Sequence, residues 1–415
     1  MTHSLRGLLL SFCLGILCAV PAFTQTSEAT PETTSTGPLA YVYVQTSKGV
    51  NLYDASAAGK LTLVPGSPFK TEGRMGGSNG KYFISVGTDY IHSYAVASNG
   101  AIGKQASEID TQNYSGSECG NNTGSGAVLD HTGQNFYLML INGQCMAQQT
   151  FDITKGSGAL KFSGAAVVSD FPADALEDGD CCTLLTITGN DAFGYVVSEP
   201  GDFWNSSVLG FARESNGTLA SRSFNEIDPT PQPGQGLAYY PPIAVAADPT
   251  GHLAALLYGA VNGKSVLQLA SYTVDGEGNI TSTNTWKNMP TVSSGNALLP
   301  IDTGSVLSMS PSGKFLAVEI QPDCQSCDTP WGFQVFHFNG AAPATPYSPV
   351  LLPNVIISQM AWDNSNHLYA LGAEIGDLHT LKLYVYTVTP TAISEAPGSP
   401  YKIAGLSTDL VVVSK

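Results

Sequence analysis

Residues 243–286 read IAVAADPTGHLAALLYGAVNGKSVLQLASYTVDGEGNITSTNTW. Four apolar runs stand out: residues 243–248, 253–258, 266–275 and 280–286. They are separated by the turn Pro249-Thr250-Gly251-His252, a short loop, and the turn over residues 276–279. Short β-branched or aliphatic runs punctuated by Asp, Asn, Pro and Gly are strands joined by tight turns. The same order recurs over residues 78–109, 128–168, 185–227, 307–352 and 359–403, which makes six complete units. Residues 39–69 hold only three strands (40–46, 49–55 and 61–65), and the tail 407–415 holds one. Together these two remnants complete a seventh unit.

A four-strand repeat of this length with Asx and Gly turns is the mark of propeller blades. Splitting one unit between the two ends of the chain points to a ring, because the last strand can then pair beside the first and remove two free sheet edges. The expected fold is all-β: a single closed seven-bladed β-propeller with four antiparallel strands per blade, the first blade closed by the C-terminal strand. A pair of β-sandwiches is the competing arrangement.

Residues 1–22 have one early cation, Arg6, an apolar core over 8–19, and small residues at Val20-Pro21-Ala22, the pattern of a cleavable export signal. Residues 23–38 are rich in Ser, Thr and Pro and are expected to be a disordered tether. The propeller then occupies 39–415. The expected location is secreted or periplasmic, and no later run is long enough to span a bilayer. The chain carries 33 acidic and 17 basic residues, a formal charge of −16. Such a field disfavours nucleic acid as a partner. A monomer with no cofactor and no bound metal is expected.

In a blade with strands A to D from the axis outward, the A–B and C–D turns share one face, and the B–C loops and D–A crossings share the other. The first set is short, as at Ser98-Asn99-Gly100 and Ser215-Asn216-Gly217. The second set is long and varied: residues 110–126, 170–183, 199–207, 228–242, 291–303, 321–332 and 373–380. Loops longer than closure requires are where function concentrates.

Six of the eight cysteines lie on that second face: Cys119, Cys145, Cys181, Cys182, Cys324 and Cys327. An even number in an exported chain implies disulfides. Cys119 and Cys145 are brought to one blade edge and are expected to pair. Cys324 and Cys327 could close a small ring or bind metal, a lone CxxC being a weak zinc signal. Adjacent Cys181 and Cys182 either bond to each other or pair elsewhere.

Residues 308–318 (SMSPSGKFLAV), with the rim sequences VPGSPF (64–69) and APGSPY (396–401), resemble the lactonase-type seven-bladed propellers, which include 6-phosphogluconolactonase-like and muconate-cycloisomerase-like proteins. The resemblance covers nearly the whole chain after residue 38. It implies a site at the central mouth where Arg, His and a carboxylate act on a lactone or its ring-opening. The candidates present are Arg74, His379, Glu118 and Glu199. Arg213 and Arg222 fall near a C–D turn on the opposite face, and the remaining histidines lie in turns or in C strands.

The long-loop face is also acidic, carrying Asp110, Glu118, Asp170, Asp178, Asp180, Glu199, Asp302, Asp328, Glu374 and Asp377 among others. Phosphate recognition needs clustered Arg or Lys, so an anionic phosphosugar is disfavoured there. The loop Glu177-Asp178-Gly179-Asp180 offers oxygen ligands but lacks the twelve-residue calcium spacing. Tyr114, Trp204, Tyr239 and Trp331, beside Asp180 and Asp302, form the candidate ligand surface, since aromatic rings among polar residues suit stacking recognition. The same rings could instead pack beneath the long loops. The function these features favour is binding of a small neutral or cationic ligand, a glycan or an envelope protein. The competing function is a lactone hydrolase or cycloisomerase.

Overall fold

The computed structural model describes residues 37–119, 126–142, 145–168, 185–198, 206–234, 241–261, 264–292, 306–320, 330–405 and 409–415. Within them the strands form seven sheets arranged in a ring, a seven-bladed β-propeller. Blade 2 runs Arg74–Ser78, Tyr82–Val86, Tyr90–Val96 and Ile102–Asp110 from axis to rim. Blade 3 has Ala127–Leu129, Asn135–Asn142, Cys145–Ile153 and Leu160–Val168. Blade 4 follows with Thr186–Ile187, Phe193–Ser198, Ser207–Arg213 and Leu219–Arg222.

Blade 5 is built from Pro242–Ala247, His252–Val261, Lys264–Val274 and Ile280–Thr281. Blade 6 has Leu307–Met309, Phe315–Ile320, Gly332–Asn339 and Ala342–Pro346. Blade 7 has Val355–Trp362, His367–Glu374, Asp377–Val388 and Ile393–Glu395. Of the expected leader (1–22) and tether (23–38), residues 1–36 lie outside the described residues.

Ring closure follows the expectation. The innermost strand of blade 1 is Leu410–Ser414, antiparallel to Ala40–Thr46 with Val44 opposite Leu410 and Ala40 opposite Ser414. The inner strands of blades 7, 1 and 2 touch in that order, so the sheet begun at residue 40 is completed by the last residues of the chain. Lys415 N donates to Leu39 O at 2.8 Å, and its ammonium lies 4.4 Å from the Tyr41 ring centre.

The cores are sandwiched between neighbouring blades. Alternate residues of each B and C strand face one neighbour and the rest face the other, as period-2 patterning requires when both sheet faces are covered. Val42 and Val44 pack with Tyr369, Leu371 and Leu383 of blade 7, whereas Tyr41 and Tyr43 pack with Phe83 and Tyr94 of blade 2.

Polar staples join the blades on the short-turn face. Tyr43, Tyr137 and Tyr195 are buried B-strand tyrosines whose hydroxyls donate to the carbonyls of Gly100, Gly217 and Gly278 in the next blade, at 2.8, 3.0 and 2.8 Å. Burial lifts each phenol well above its ordinary range. Gly278 has φ +86°, and a Cβ there would stand 2.7 Å from the Phe193 ring, so the turn needs glycine for both its backbone and its space. The A–B turns of blades 5 and 7 are Asx turns. Asp248 and Asp363 each accept from the backbone N–H two and four residues later, at 2.8 to 2.9 Å.

Two departures from the sequence-based layout matter for function. Glu226–Ile227, expected as the end of blade 4, pairs in parallel with Ile280–Thr281 and so forms a fifth strand of blade 5. The expected long loop 373–380 is a tight hairpin: Glu374 is opposite Asp377, and Gly376 at φ +97° makes the turn. Strand pairing continues there to the Glu374–Asp377 step, past the Asp and Gly residues that read as a loop.

Candidate functional site

Each inner strand starts on the face of the B–C loops and D–A crossings, so the first residues of these strands surround the axial mouth. Arg74 opens the inner strand of blade 2, and Asp409 immediately precedes that of blade 1. Arg74 Nη2 donates to Asp409 Oδ1 at 2.7 Å, its Nε to the same oxygen at 3.2 Å, and Met75 N to Asp409 Oδ2 at 3.3 Å. The carboxylate is only 6% exposed, while the guanidinium side chain is 43% exposed. On the other side of Asp409, Leu410 N donates to Gln359 Oε1 from the inner strand of blade 7. Residues from three consecutive inner strands therefore form one polar cluster at the seam of the ring.

This cluster is suited to holding geometry. The guanidinium that would attract an anion is already engaged by a carboxylate. Asp409 was not among the sequence-based candidates, since it lies 335 positions from Arg74 in the chain.

The other candidates stand apart. His379 is exposed on the third strand of blade 7, not in a loop, because the hairpin at Gly376 places it inside Asp377–Val388. Glu118 belongs to the short 3-10 turn Ser117–Cys119 in the crossing from blade 2 to blade 3, where its carboxylate accepts from Gly116 N at 2.9 Å. Tyr114 precedes that turn and stacks on Phe162, with ring centres 4.3 Å apart and planes 16° apart, and meets Phe151 edge-on. One face of that ring is thereby committed to packing. Trp331 is half-buried directly before the third strand of blade 6.

Cys119 is fully buried and disulfide-bonded. Cys145 opens the third strand of blade 3, against which the Ser117–Cys119 turn packs, and its side chain lies outside the described residues. Glu199, Asp180, Trp204, Tyr239, Asp302, Cys181, Cys182, Cys324 and Cys327 also lie outside them.

Arg213 is on the opposite face, as expected. It donates to Asp130 Oδ2 at 2.8 Å and approaches Asp191 at 3.5 Å. Five histidines are held by packing or by partners: His131 on Asp191, His252 on Asp248, His367 on Asp363, His92 buried between Glu72 and Glu108, and His337 against Tyr347. Among the described residues no group of three or more His, Cys, Asp or Glu side chains is placed to hold a metal ion, and no helix is long and apolar enough to cross a membrane.

A carboxyl pair passed over in the sequence lies where the blade 4 to blade 5 crossing joins the sheet. Burial, followed by repulsion from and hydrogen bonding with Asp228, pushes the Glu226 carboxyl up to about 8. Burial also raises Asp228, against the opposing hydrogen bond from Tyr272, whose hydroxyl donates to Asp228 Oδ1 at 3.1 Å. A raised carboxyl favours the protonated folded state. Its stabilisation is complete below the unfolded value near 4.5 and is lost as pH climbs through about 8. Stability measured by urea unfolding should therefore fall by about 2 kcal/mol more in the wild type than in Glu226→Gln between pH 4.5 and 8, after discounting for partial exposure. Parallel pH curves would show that the pair shares no proton.

No protein-family model and no curated protein sequence matches the chain. Among solved structures it is similar to a periplasmic gluconolactonase from Pseudomonas aeruginosa, with TM-score 0.55 and 14% identity over 90% of this chain and 99% of that one. A puromycin-hydrolyzing peptidase from Mycobacterium tuberculosis aligns at TM-score 0.46 and 11% identity, over 86% of this chain and 52% of that one. At such identities the likeness is one of fold, and the gluconolactonase fold is the one this chain shares along nearly its full propeller.

Proposed function

We propose that the protein is an exported, lactonase-like propeller that acts mainly as a binding module. Its long-loop face is turned towards a small neutral or cationic ligand, a glycan or an envelope protein. The observation that carries this reading is the Arg74–Asp409 pair: the arginine at the axial mouth is engaged by a nearly buried carboxylate at 2.7 Å. The separation of Glu118 and His379 onto other elements supports the same reading. A hydrolase would need a nucleophile or base and an oxyanion partner converging within hydrogen-bond reach. In this proposal Trp331, the outer face of Tyr114 and the loop residues Trp204, Tyr239, Asp180 and Asp302 contact the ligand. Disulfides, Cys119 with Cys145 foremost, brace the loops. The leader at residues 1–22 directs the chain to the periplasm or beyond.

The second reading is a lactone hydrolase or cycloisomerase, favoured by the similarity to a gluconolactonase. A panel of uncharged five- and six-membered lactones separates the two. The binding reading expects ring-opening no faster than in buffer, for the wild type as for Arg74→Ala and His379→Ala. Turnover by the wild type that falls at least about a hundredfold in either variant would replace it with the hydrolase.

A further inference from the structure

The crossing from blade 4 to blade 5 begins as a strap laid along the outer edge of blade 5. Phe224 anchors its start, meeting the Tyr195 ring edge-on with centres 5.7 Å apart. Beyond it Ile280 N donates to Asn225 O at 3.0 Å, Ser282 N to Ile227 O at 2.8 Å, Thr230 N to Asn284 O at 3.1 Å and Trp286 N to Thr230 O at 3.0 Å. Among the described strands this is the only parallel ladder. The crossing then returns to Pro242, where the inner strand of blade 5 starts at the axial mouth.

The strap is laid the wrong way round for a rim strand, whose apolar residues ordinarily turn inward and whose polar ones turn outward. Here Glu226 and Asp228 are half-buried, whereas Ile227 between them is 57% exposed. A spacing of two puts both carboxyls on one side of an extended chain. Tyr272, buried in the third strand of blade 5, donates to Asp228 Oδ1 at 3.1 Å from that side. Little apolar surface holds the strap between Asn225 and Asp228, so its grip there rests on the backbone hydrogen bonds and on the state of the carboxyl pair.

The groups acting on the pair are burial, the two carboxyls themselves and the Tyr272 hydroxyl. The edge against which the strap lies, residues 279–285, carries no charge. Lys287, further on, stands over the Trp286 ring at 5.4 Å. Arg222 at the end of blade 4 and Asp275 in the blade 5 turn act on Tyr195, and Glu277 shares that turn. With no cation acting on it, a hydrogen-bonded carboxyl pair keeps one proton, and once both are ionised their repulsion falls on the strap. Burial raises both groups, Glu226 to about 8.

We propose that residues 225–230 are a proton-operated strap: the proton shared by Glu226 and Asp228 holds it on blade 5, and loss of that proton loosens it, baring the outer edge of the blade and slackening the crossing that leads to the axial mouth. In the open strap the carboxyls return to ordinary values, so opening releases the proton at any pH above about 4.5. The hold therefore weakens steadily from there and levels off near pH 8, where the closed pair has also lost its proton. The device is independent of which ligand the long-loop face takes.

The test is amide hydrogen exchange of the intact protein between pH 5 and 8, expressed as protection factors so that the intrinsic pH dependence of exchange is removed. Ser282 and Trp286 report the strap, and Leu256, fully buried in the second strand of blade 5, reports the core. Protection at Ser282 and Trp286 should fall about thirtyfold across this range and stay at least about tenfold below that of Leu256. In Glu226→Gln the fall should shrink to within about threefold. Asp228→Asn, which removes the repulsion and leaves Glu226 buried, should give a fall between the two. Both variants should keep the wild-type circular dichroism at pH 5. Protection at Ser282 that is constant with pH, an equal fall in Glu226→Gln, or protection no lower than that of Leu256 would overturn the proposal.

Discussion

Removing residues 409–415 should leave a chain that does not reach the native state and sediments as aggregate. That segment carries the whole inner strand of blade 1, whose loss bares the Ala40–Thr46 edge and with it Tyr41, Val42, Tyr43 and Val44, each at most 3% exposed in the intact ring. Burial of a valine or leucine side chain is worth about 1.5–3 kcal/mol. Leu410 is buried and Val411, Val412 and Val413 are half-buried, so losing them removes roughly 4 kcal/mol before any loss from their neighbours is counted. That is comparable with the total stability of an ordinary domain, about 5–15 kcal/mol. Arg74 simultaneously loses Asp409, and an unpaired strand edge invites intermolecular pairing. Size-exclusion chromatography and urea unfolding of the truncated protein are the measurements. A monomer with the wild-type midpoint would refute the claim that the last strand holds the ring.

Asp130→Ala should be the most damaging single substitution considered, at about 3–5 kcal/mol. The side chain is fully buried and accepts from Arg213 Nη2 at 2.8 Å, Asn135 Nδ2 at 2.7 Å, Gln134 N at 2.9 Å and Thr132 Oγ1 at 3.0 Å. Alanine would take this acceptor from all of these donors at once and leave the largely buried Arg213 guanidinium, at the boundary of blades 3 and 4, with the longer contact to Asp191 at 3.5 Å. Burial alone would raise this carboxyl. The hydrogen bonds from the Asn135 side chain and backbone, Thr132 and Gln134 outweigh it and bring the group below its ordinary value. Its stabilisation is thus present above the unfolded value near 3.9 and is lost as pH falls through the depressed folded value. Urea midpoints at pH 7 and pH 3 should differ less in Asp130→Ala than in the wild type. An equal acid dependence would show that other carboxylates carry it.

Blade number and ring closure were legible because both rest on local signals: period-2 alternation, Asx and Gly turns, and one unit divided between the ends. Features that depend on distant partners were not. Nothing near Arg74 announces Asp409, and only the paired strands bring them together. Glu226–Ile227 was placed in the wrong blade because parallel pairing at a rim leaves no turn to read. Glu374, Gly376 and Asp377 read as loop residues, yet strand pairing continues to the Glu374–Asp377 step and makes the segment a hairpin. Tyr114 has the sequence setting of an exposed platform, yet Phe162, nearly fifty residues later, covers one face of its ring.

The hydrogen bond from Lys415 N to Leu39 O sets the order of events during synthesis. Six blades can collapse in sequence as they leave the ribosome, but the sheet started by Ala40–Thr46 must wait for the final residues to emerge. Its outer three strands stand exposed throughout elongation, and contacts spanning so many residues form slowly. With the ends this close, a short linker joining 415 to 39 and new termini at an A–B turn such as Thr250-Gly251 would turn blade 1 into a continuous hairpin sheet and move the waiting step to blade 5.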